Sequence, residues 1–197
     1  MSIKIKHVIT GAVLLECNAK TLKLALRAGI KSGVNFRYSD LRNSDLRNSN
    51  FRNSDFRYSD FRYSNLHGVN FRNSDIRNSD FCYSNLSYSD FRNSNLHGVN
   101  FCYSDLRNSD LRNSNFRNSK NYSENHDIFQ EIVRSQKAEI FTSREWECIA
   151  YICIHRICWD SIQKRFSAAA GRVFRKLADA GFGEFLERYN ETKETSK

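Results

Sequence analysis

The stretch FRNSDFRYSDFRYSNLHGVNFRNSD, Phe51–Asp75, returns a large apolar residue at every fifth position. A helix gathers side chains three and four apart and a strand gathers alternate ones, so a period of five scatters them in either geometry. A third arrangement must collect them. Followed outward, the period holds without a slip from Val34 to Asn118, which makes seventeen pentads over 85 residues. Position one is Ser or Val, position two Asp or Asn, position three Phe, Leu or Ile, position four mostly Arg, and position five mostly Asn or Tyr.

This pattern resembles the pentapeptide-repeat family, whose unit is a small residue, Asp or Asn, Leu or Phe, and two variable polar positions. The resemblance implies a mainly β fold, a right-handed quadrilateral β-helix in which four pentads make a coil of about 20 residues and positions one and three face inward. Residues one coil apart then stack at the ordinary strand spacing of about 4.8 Å, so the rod is only about 20 Å long. Four inner ladders result: Phe36, Phe56, Ile76, Leu96 and Phe116; Leu41, Phe61, Phe81 and Phe101; Leu46, Leu66, Leu86 and Leu106; and Phe51, Phe71, Phe91 and Leu111. Each such side chain contributes roughly 1.5–3 kcal/mol when buried, enough to stabilise a solenoid with no catalytic apparatus. Asp and Asn at position two suit the bonding of corner backbone groups.

The same sorting separates the outer faces. One carries Arg52, Arg72, Arg92 and Arg112 beside Asn53, Asn73, Asn93 and Asn113, and no other is so uniform. A second carries Arg42, Arg62, Cys82 and Cys102 beside Asn43, Tyr63, Tyr83 and Tyr103, and a third mixes Arg47, His67, Ser87 and Arg107. The LHGVN pentad occurs at Leu66–Asn70 and Leu96–Asn100, one and a half coils apart and so on opposite faces. The Arg–Asn ladder and Tyr63, Tyr83 and Tyr103 are the candidate binding residues of the rod. The solvated reading of the ladder pairs each guanidinium with Asp55, Asp75, Asp90 or Asp110.

Residues 1–33 read as a cap of two short strands around Gly11 and a helix from near Asn18 to near Gly33, with Leu22, Ala25, Leu26 and Gly29 as its apolar stripe. A cap covers backbone groups that an open solenoid end leaves unpaired. This segment is similar to the start of pentapeptide-repeat proteins carried by phages and prophages. Residues 119–190 read as a helical domain. HDIFQEIVRSQ is one amphipathic helix; a second runs from a capping box of Thr142 and Glu145 to Phe166; SAAAGRVFRKLADAG closes on Gly181; and FGEFLERYN is a last short helix. Trp146, Ile149, Ala150, Cys153 and Ile157 form one expected face, and Val173, Phe174, Leu177 and Ala178 another. Residues 191–197 read as a polar tail. The basic helix with Arg172, Arg175 and Lys176 is a candidate nucleic-acid reader, although such a helix more often packs its apolar face inward and leaves its bases in water.

The chain has 31 Lys and Arg against 22 Asp and Glu, a net charge of +9, with no proline. That charge is spread: +5 over residues 1–33, +3 over the repeat and +1 over residues 119–197. No segment concentrates enough charge to demand nucleic acid. No run of apolar residues is long enough for a membrane span, and the six cysteines are too dispersed for a secreted disulfide scaffold, so the chain reads as cytoplasmic. Cys148, Cys153, His155 and Cys158 are spaced so that they cannot converge from one helix face on a metal. Cys82 and Cys102 stack one coil apart, within disulfide reach but reduced in a cytosol. No catalytic motif, metal site or cofactor is expected. The leading expectation is a non-enzymatic, phage- or prophage-encoded module that binds a host protein, for which the resemblance suggests DNA gyrase or a defence protein, with a homodimer through the helical domain as a further expectation. Gyrase-directed relatives are acidic and similar to DNA in shape, so this Arg-rich rod is not expected to mimic DNA. Direct nucleic-acid binding through the Arg ladder and the basic helix ranks second.

Overall fold

The structure, a computed structural model, describes residues 2–122, 125–156 and 159–195. The chain divides into two compact units, Met1–Asn121 and Tyr122–Lys197.

The first unit opens with an antiparallel hairpin of β1 (Ser2–Lys6) and β2 (Val13–Asn18), followed by α1 (Leu22–Lys31). Helix α1 is capped at Thr21 rather than opening near Asn18: Asn18 is held in the sheet opposite Ser2, and the Thr21 side chain accepts the Leu24 N–H. Ala25, Leu26 and Gly29 are its buried face. Gly29 lies so close to Phe36 that a Cβ there would fall 2.5 Å from the ring. The helix thus lids the first Phe ladder. The hairpin covers part of the same end, with Asp40 N–H donating to the Lys6 carbonyl at 2.8 Å and His7 bridging Ser39.

The repeat then stacks as the five-residue period requires. Position-two residues bridge their counterparts one coil on, always parallel and 20 residues apart, from Asp40 with Asp60 to Asn100 with Lys120. The stacking therefore runs two residues beyond the last pentad. Each bridge is a single residue long, so among the described residues β1 and β2 are the only continuous strands. Turns occupy the corners. The position-one N–H donates to the position-three carbonyl before it, as in Ser49 to Leu46 at 3.2 Å, and position five has positive φ in every pentad. That combination is what a type II turn needs, and it explains the choice of residue: Asn and Gly tolerate positive φ best. Position two supplies the second clamp, its side-chain oxygen accepting the N–H two residues on, as in Asn70 to Arg72 at 2.9 Å.

Inside, the ladders are buried. Leu46, Leu66, Leu86 and Leu106 are at most 1% exposed, and the Phe61 and Phe81 rings stack at 4.7 Å with planes 3° apart. Buried serines fill the corners, with Ser79 Oγ donating to the Phe56 carbonyl at 2.7 Å.

The second unit contains α2 (His126–Arg134), a short 3-10 turn (Ala138–Ile140), α3 (Ser143–His155), α4 (Trp159–Asp179) and α5 (Glu184–Thr195). Four sequence expectations change here. The helix opened by Thr142 and Glu145 stops at Arg156, whose φ of 46° ends it, rather than running to Phe166. Helix α4 then crosses the expected break with non-helical angles at Phe166, so the break survives as a kink. Helix α5 continues to Thr195, well into the expected polar tail, because residues beyond Asn190 include good helix formers and Arg188 pairs with Glu191. The expected face of α3 also shifts. Glu145, Cys148, Ile149 and Ile152 are buried, while Trp146 is 37% exposed and Ala150 faces solvent. Ile157 lies outside the described residues. Val173, Phe174 and Leu177 are buried as their spacing predicts.

Candidate functional site

The turn geometry determines what each outer face presents. On the second face, Tyr63, Tyr83 and Tyr103 stack ring on ring, with centroids 5.0 Å apart at both steps and planes inclined by 3° and 21°. They are 58%, 51% and 78% exposed, a flat aromatic strip in water. All three occupy position five with φ between 50° and 58°, where a bulky side chain is unfavourable. The flanking charges cancel. Arg42 pairs with Asp40 at 2.7 Å and reaches Asp60 at 3.6 Å, while Arg62 pairs with Asp60 at 2.6 Å. Hydrogen bonding to Arg42 holds the Asp40 carboxyl below its ordinary range despite burial. Cys82 is buried beside the strip, and burial, with Asp80 and Cys102 nearby, pushes its thiol up to about 12. Cys82 and Cys102 are both free thiols.

The Arg ladder is less uniform than its sequence. Its members fork onto the residue two positions earlier where that residue is Asp. Arg92 pairs with Asp90 at 2.6 Å and lies 3.5 Å from Asp110, and Arg112 pairs with Asp110 at 2.5 Å. Asn50 and Asn70 stand in the matching places before Arg52 and Arg72, and among the described residues neither of these guanidiniums has an ion pair. The Arg72 Nε is buried without a hydrogen-bond partner. Beside them the amides join coil to coil, Asn73 donating to Asn53 at 3.3 Å and Asn113 to Asn93 at 3.2 Å. The ladder is thus half cationic and half neutralised.

The basic residues of α4 are partly used within their own unit. Glu145, fully buried, accepts from Arg172 at 2.9 Å and from Lys176 at 2.6 Å, and Lys176 also donates to the Ile140 carbonyl at 2.6 Å. Burial alone would raise the Glu145 carboxyl; hydrogen bonds from Lys176, the Thr142 backbone N–H and Arg172 outweigh it and hold the group at about 2. Arg175 is exposed, and no ion pair engages it among the described residues. The sequence reading missed this centre because Glu145 had already been given a role as the capping-box partner of Thr142; its carboxylate does both.

Cys148 and Cys153 are a buried and a half-buried thiol, pushed by burial up to about 12 and about 11, and His155 is exposed. Cys158 lies outside the described residues. No group of three metal-ligating side chains occurs among the described residues, and no described helix is long and apolar enough to cross a membrane. The sequence reading also passed over α1, where Lys23, Arg27 and Lys31 recur every fourth position, a spacing that places them on one stripe of a helix.

These features define a solenoid of pentads with chemically distinct outer faces. Residues 32–68, 59–98 and 83–118 match the family model for pentapeptide repeats, in 8 copies, and this stretch of the chain is a pentapeptide-repeat segment. Among solved structures, the pentapeptide-repeat protein Rfr23 from the cyanobacterium Cyanothece 51142 is similar at 18% identity and a TM-score of 0.40, over 41% of this chain and 55% of that one. The protein alr5209 from Nostoc PCC 7120 is similar at 22% identity and a TM-score of 0.42, over 51% of this chain and 87% of that one. A trypsin-treated form of QnrB1, a plasmid-mediated fluoroquinolone resistance protein, is 25% identical with a TM-score of 0.24, over 41% of this chain and 51% of that one. The chain thus spans about half the length of Rfr23 and QnrB1. No curated protein matches it.

Proposed function

We propose that this chain is a non-enzymatic protein-interaction module, encoded by a phage or prophage, that binds and modulates a host protein in the cytoplasm. The observation that carries this reading is the exposed Tyr63–Tyr83–Tyr103 stack. Tyrosines on a rigid scaffold present large contact area at little entropic cost, and they are enriched among the residues that dominate protein interfaces. Their neighbours Arg42 and Arg62 are neutralised by Asp40 and Asp60, which suits a protein surface better than a phosphate backbone. DNA gyrase and host defence proteins are the candidate targets, on the strength of the repeat's family, and the right-handed winding of the coil belongs to the same reading. A homodimer through the helical unit is part of the proposal, tested by the mass of the purified chain in solution.

The experiment is capture from host lysate with the tagged chain, before and after nuclease digestion. A protein retained after digestion, and lost when Tyr63, Tyr83 and Tyr103 are replaced by Asn, supports the reading. Retention that depends on nucleic acid contradicts it.

A further inference from the structure

We propose that the groove between α1 and the first coil is a docking site for an extended acidic peptide, added as a strand to the open edge of that coil. This site is separate from the tyrosine stack and does not rest on it.

The groove has a volume of about 690 Å³ and is lined by Lys23, Arg27 and Lys31 of α1 on one side and by Arg52 on the other, with no acidic residue in its walls. None of these four cations has an ion pair among the described residues. The floor is the edge of the first coil at Asn50. In the parallel bridge to Asn70, the bonds are made by the neighbours of Asn50: Phe51 N–H donates to the Asn70 carbonyl at 2.8 Å, and Asn70 N–H donates to the Ser49 carbonyl at 2.9 Å. The N–H and carbonyl of Asn50 itself therefore point the other way, toward the groove, and neither has a backbone partner among the described residues. Ser49, only 7% exposed and lining the groove, has a buried hydroxyl with no hydrogen-bond partner. Serines such as Ser74 and Ser79 donate to a carbonyl of the coil before them, and Ser49 has no coil before it.

The same edge shows how it is satisfied elsewhere. Two corners away, Asp40 N–H is taken by the Lys6 carbonyl, and Val8 N–H by the Tyr38 carbonyl, so the end of β1 and the residues just after it close that part as an added strand. At Asn50 no described segment does so. An unpaired donor and acceptor side by side fit a peptide backbone, which offers both. A phosphodiester backbone only accepts. The charge fixes the side chains: cations four apart on α1 recur about every 6 Å, and alternate side chains of a strand recur about every 6.6 Å, so Glu or Asp at every second position meets the row.

The test is binding of an acetylated, amidated octapeptide of alternating Glu and Val to the full chain at low salt, beside the same peptide N-methylated at alternate amides and pentathymidylate of equal charge. The expected result is binding of the unmodified peptide that weakens with salt and falls about tenfold or more in the Arg27→Glu/Arg52→Glu double variant. N-methylation should remove it, pentathymidylate should bind more weakly, and the Tyr63→Asn/Tyr83→Asn/Tyr103→Asn variant should bind the peptide as the parent does. Both reversed side chains are exposed, so the circular dichroism spectrum should not change. Equal binding of the N-methylated peptide or of pentathymidylate, insensitivity to the charge reversal, or no binding at low salt overturns the proposal.

Discussion

Six tyrosines, Tyr38, Tyr58, Tyr63, Tyr83, Tyr88 and Tyr103, have φ between 50° and 61°, a region where Asn and Gly cost least. The left-handed backbone costs about 1–2 kcal/mol for an ordinary residue, and a stacked aromatic pair returns about 0.5–1.5 kcal/mol, so the two nearly cancel. A tyrosine that stacks at these turns is thus close to neutral for folding. Glycine at the same place is different. Gly68 has a φ of +66°, and a Cβ there would strike the Asn48 amide. Gly68→Ala should cost about 1–2 kcal/mol in chemical denaturation, whereas Asn43→Gly, at the same turn position on another face, should change stability by less. At Glu145 the sign is set by charge. Its carboxyl is at about 2 in the folded chain against an ordinary 4.5, so its contribution is complete above about 4.5 and is lost as pH falls toward about 2. Glu145→Gln removes the charge that Arg172 and Lys176, both partly exposed, hydrogen-bond, and should cost about 1–3 kcal/mol at neutral pH, measured by urea unfolding. Between about pH 4.5 and about pH 2 the variant should also lose stability less steeply than the parent.

At the scale of elements, the coil depends on register. Every third-position side chain points to the interior, so inserting one residue within the middle pentad Ser74–Asn78 turns the Phe and Leu ladders outward, whereas inserting a full coil adds one more rung. The single insertion should lower the melting temperature far more than the coil insertion. Leu86 is fully buried between Leu66 and Leu106, and Leu86→Ala should cost about 2–5 kcal/mol, because adjacent rungs are held by backbone bonds and cannot close the cavity. This ladder was legible in the sequence because a strict period of five maps residues onto faces without knowledge of any contact. The role of position five was not. Period marks where Asn and Tyr recur, but the positive φ that explains Asn is a property of the turn. In α3, periodicity chose the face around Trp146, while the buried face is built around Glu145 because two cations of α4 draw that carboxylate inside. Arg172 and Lys176, read as bases free for a ligand, are the other half of the same arrangement. Spacing alone reports hydrophobicity, and an internal ion pair does not announce itself.

At the scale of the molecule, the seventeen-pentad rod offers two chemically distinct surfaces within one unit: a neutral tyrosine strip and a cationic groove at its capped end. Tyr63, Tyr83 and Tyr103 could be named in advance because residues 20 apart in a repeat must stack. The groove could not, because it brings Lys23, Arg27 and Lys31 of α1 against Asn50 and Arg52 through the packing of the cap. The Arg ladder shows the difference between composition and field: Asp90 and Asp110 neutralise its far half, and Asn50 and Asn70 leave its near half charged. The measurement that tests the central claim most directly is made on the Tyr63→Asn/Tyr83→Asn/Tyr103→Asn variant, with melting temperature and nuclease-resistant capture of a protein from host lysate read on the same preparation. Asn suits the turn, so the account predicts a melting temperature close to that of the parent together with loss of the partner. Retention of the partner at parental strength by a variant that melts as the parent does would contradict the assignment of this face as the docking surface.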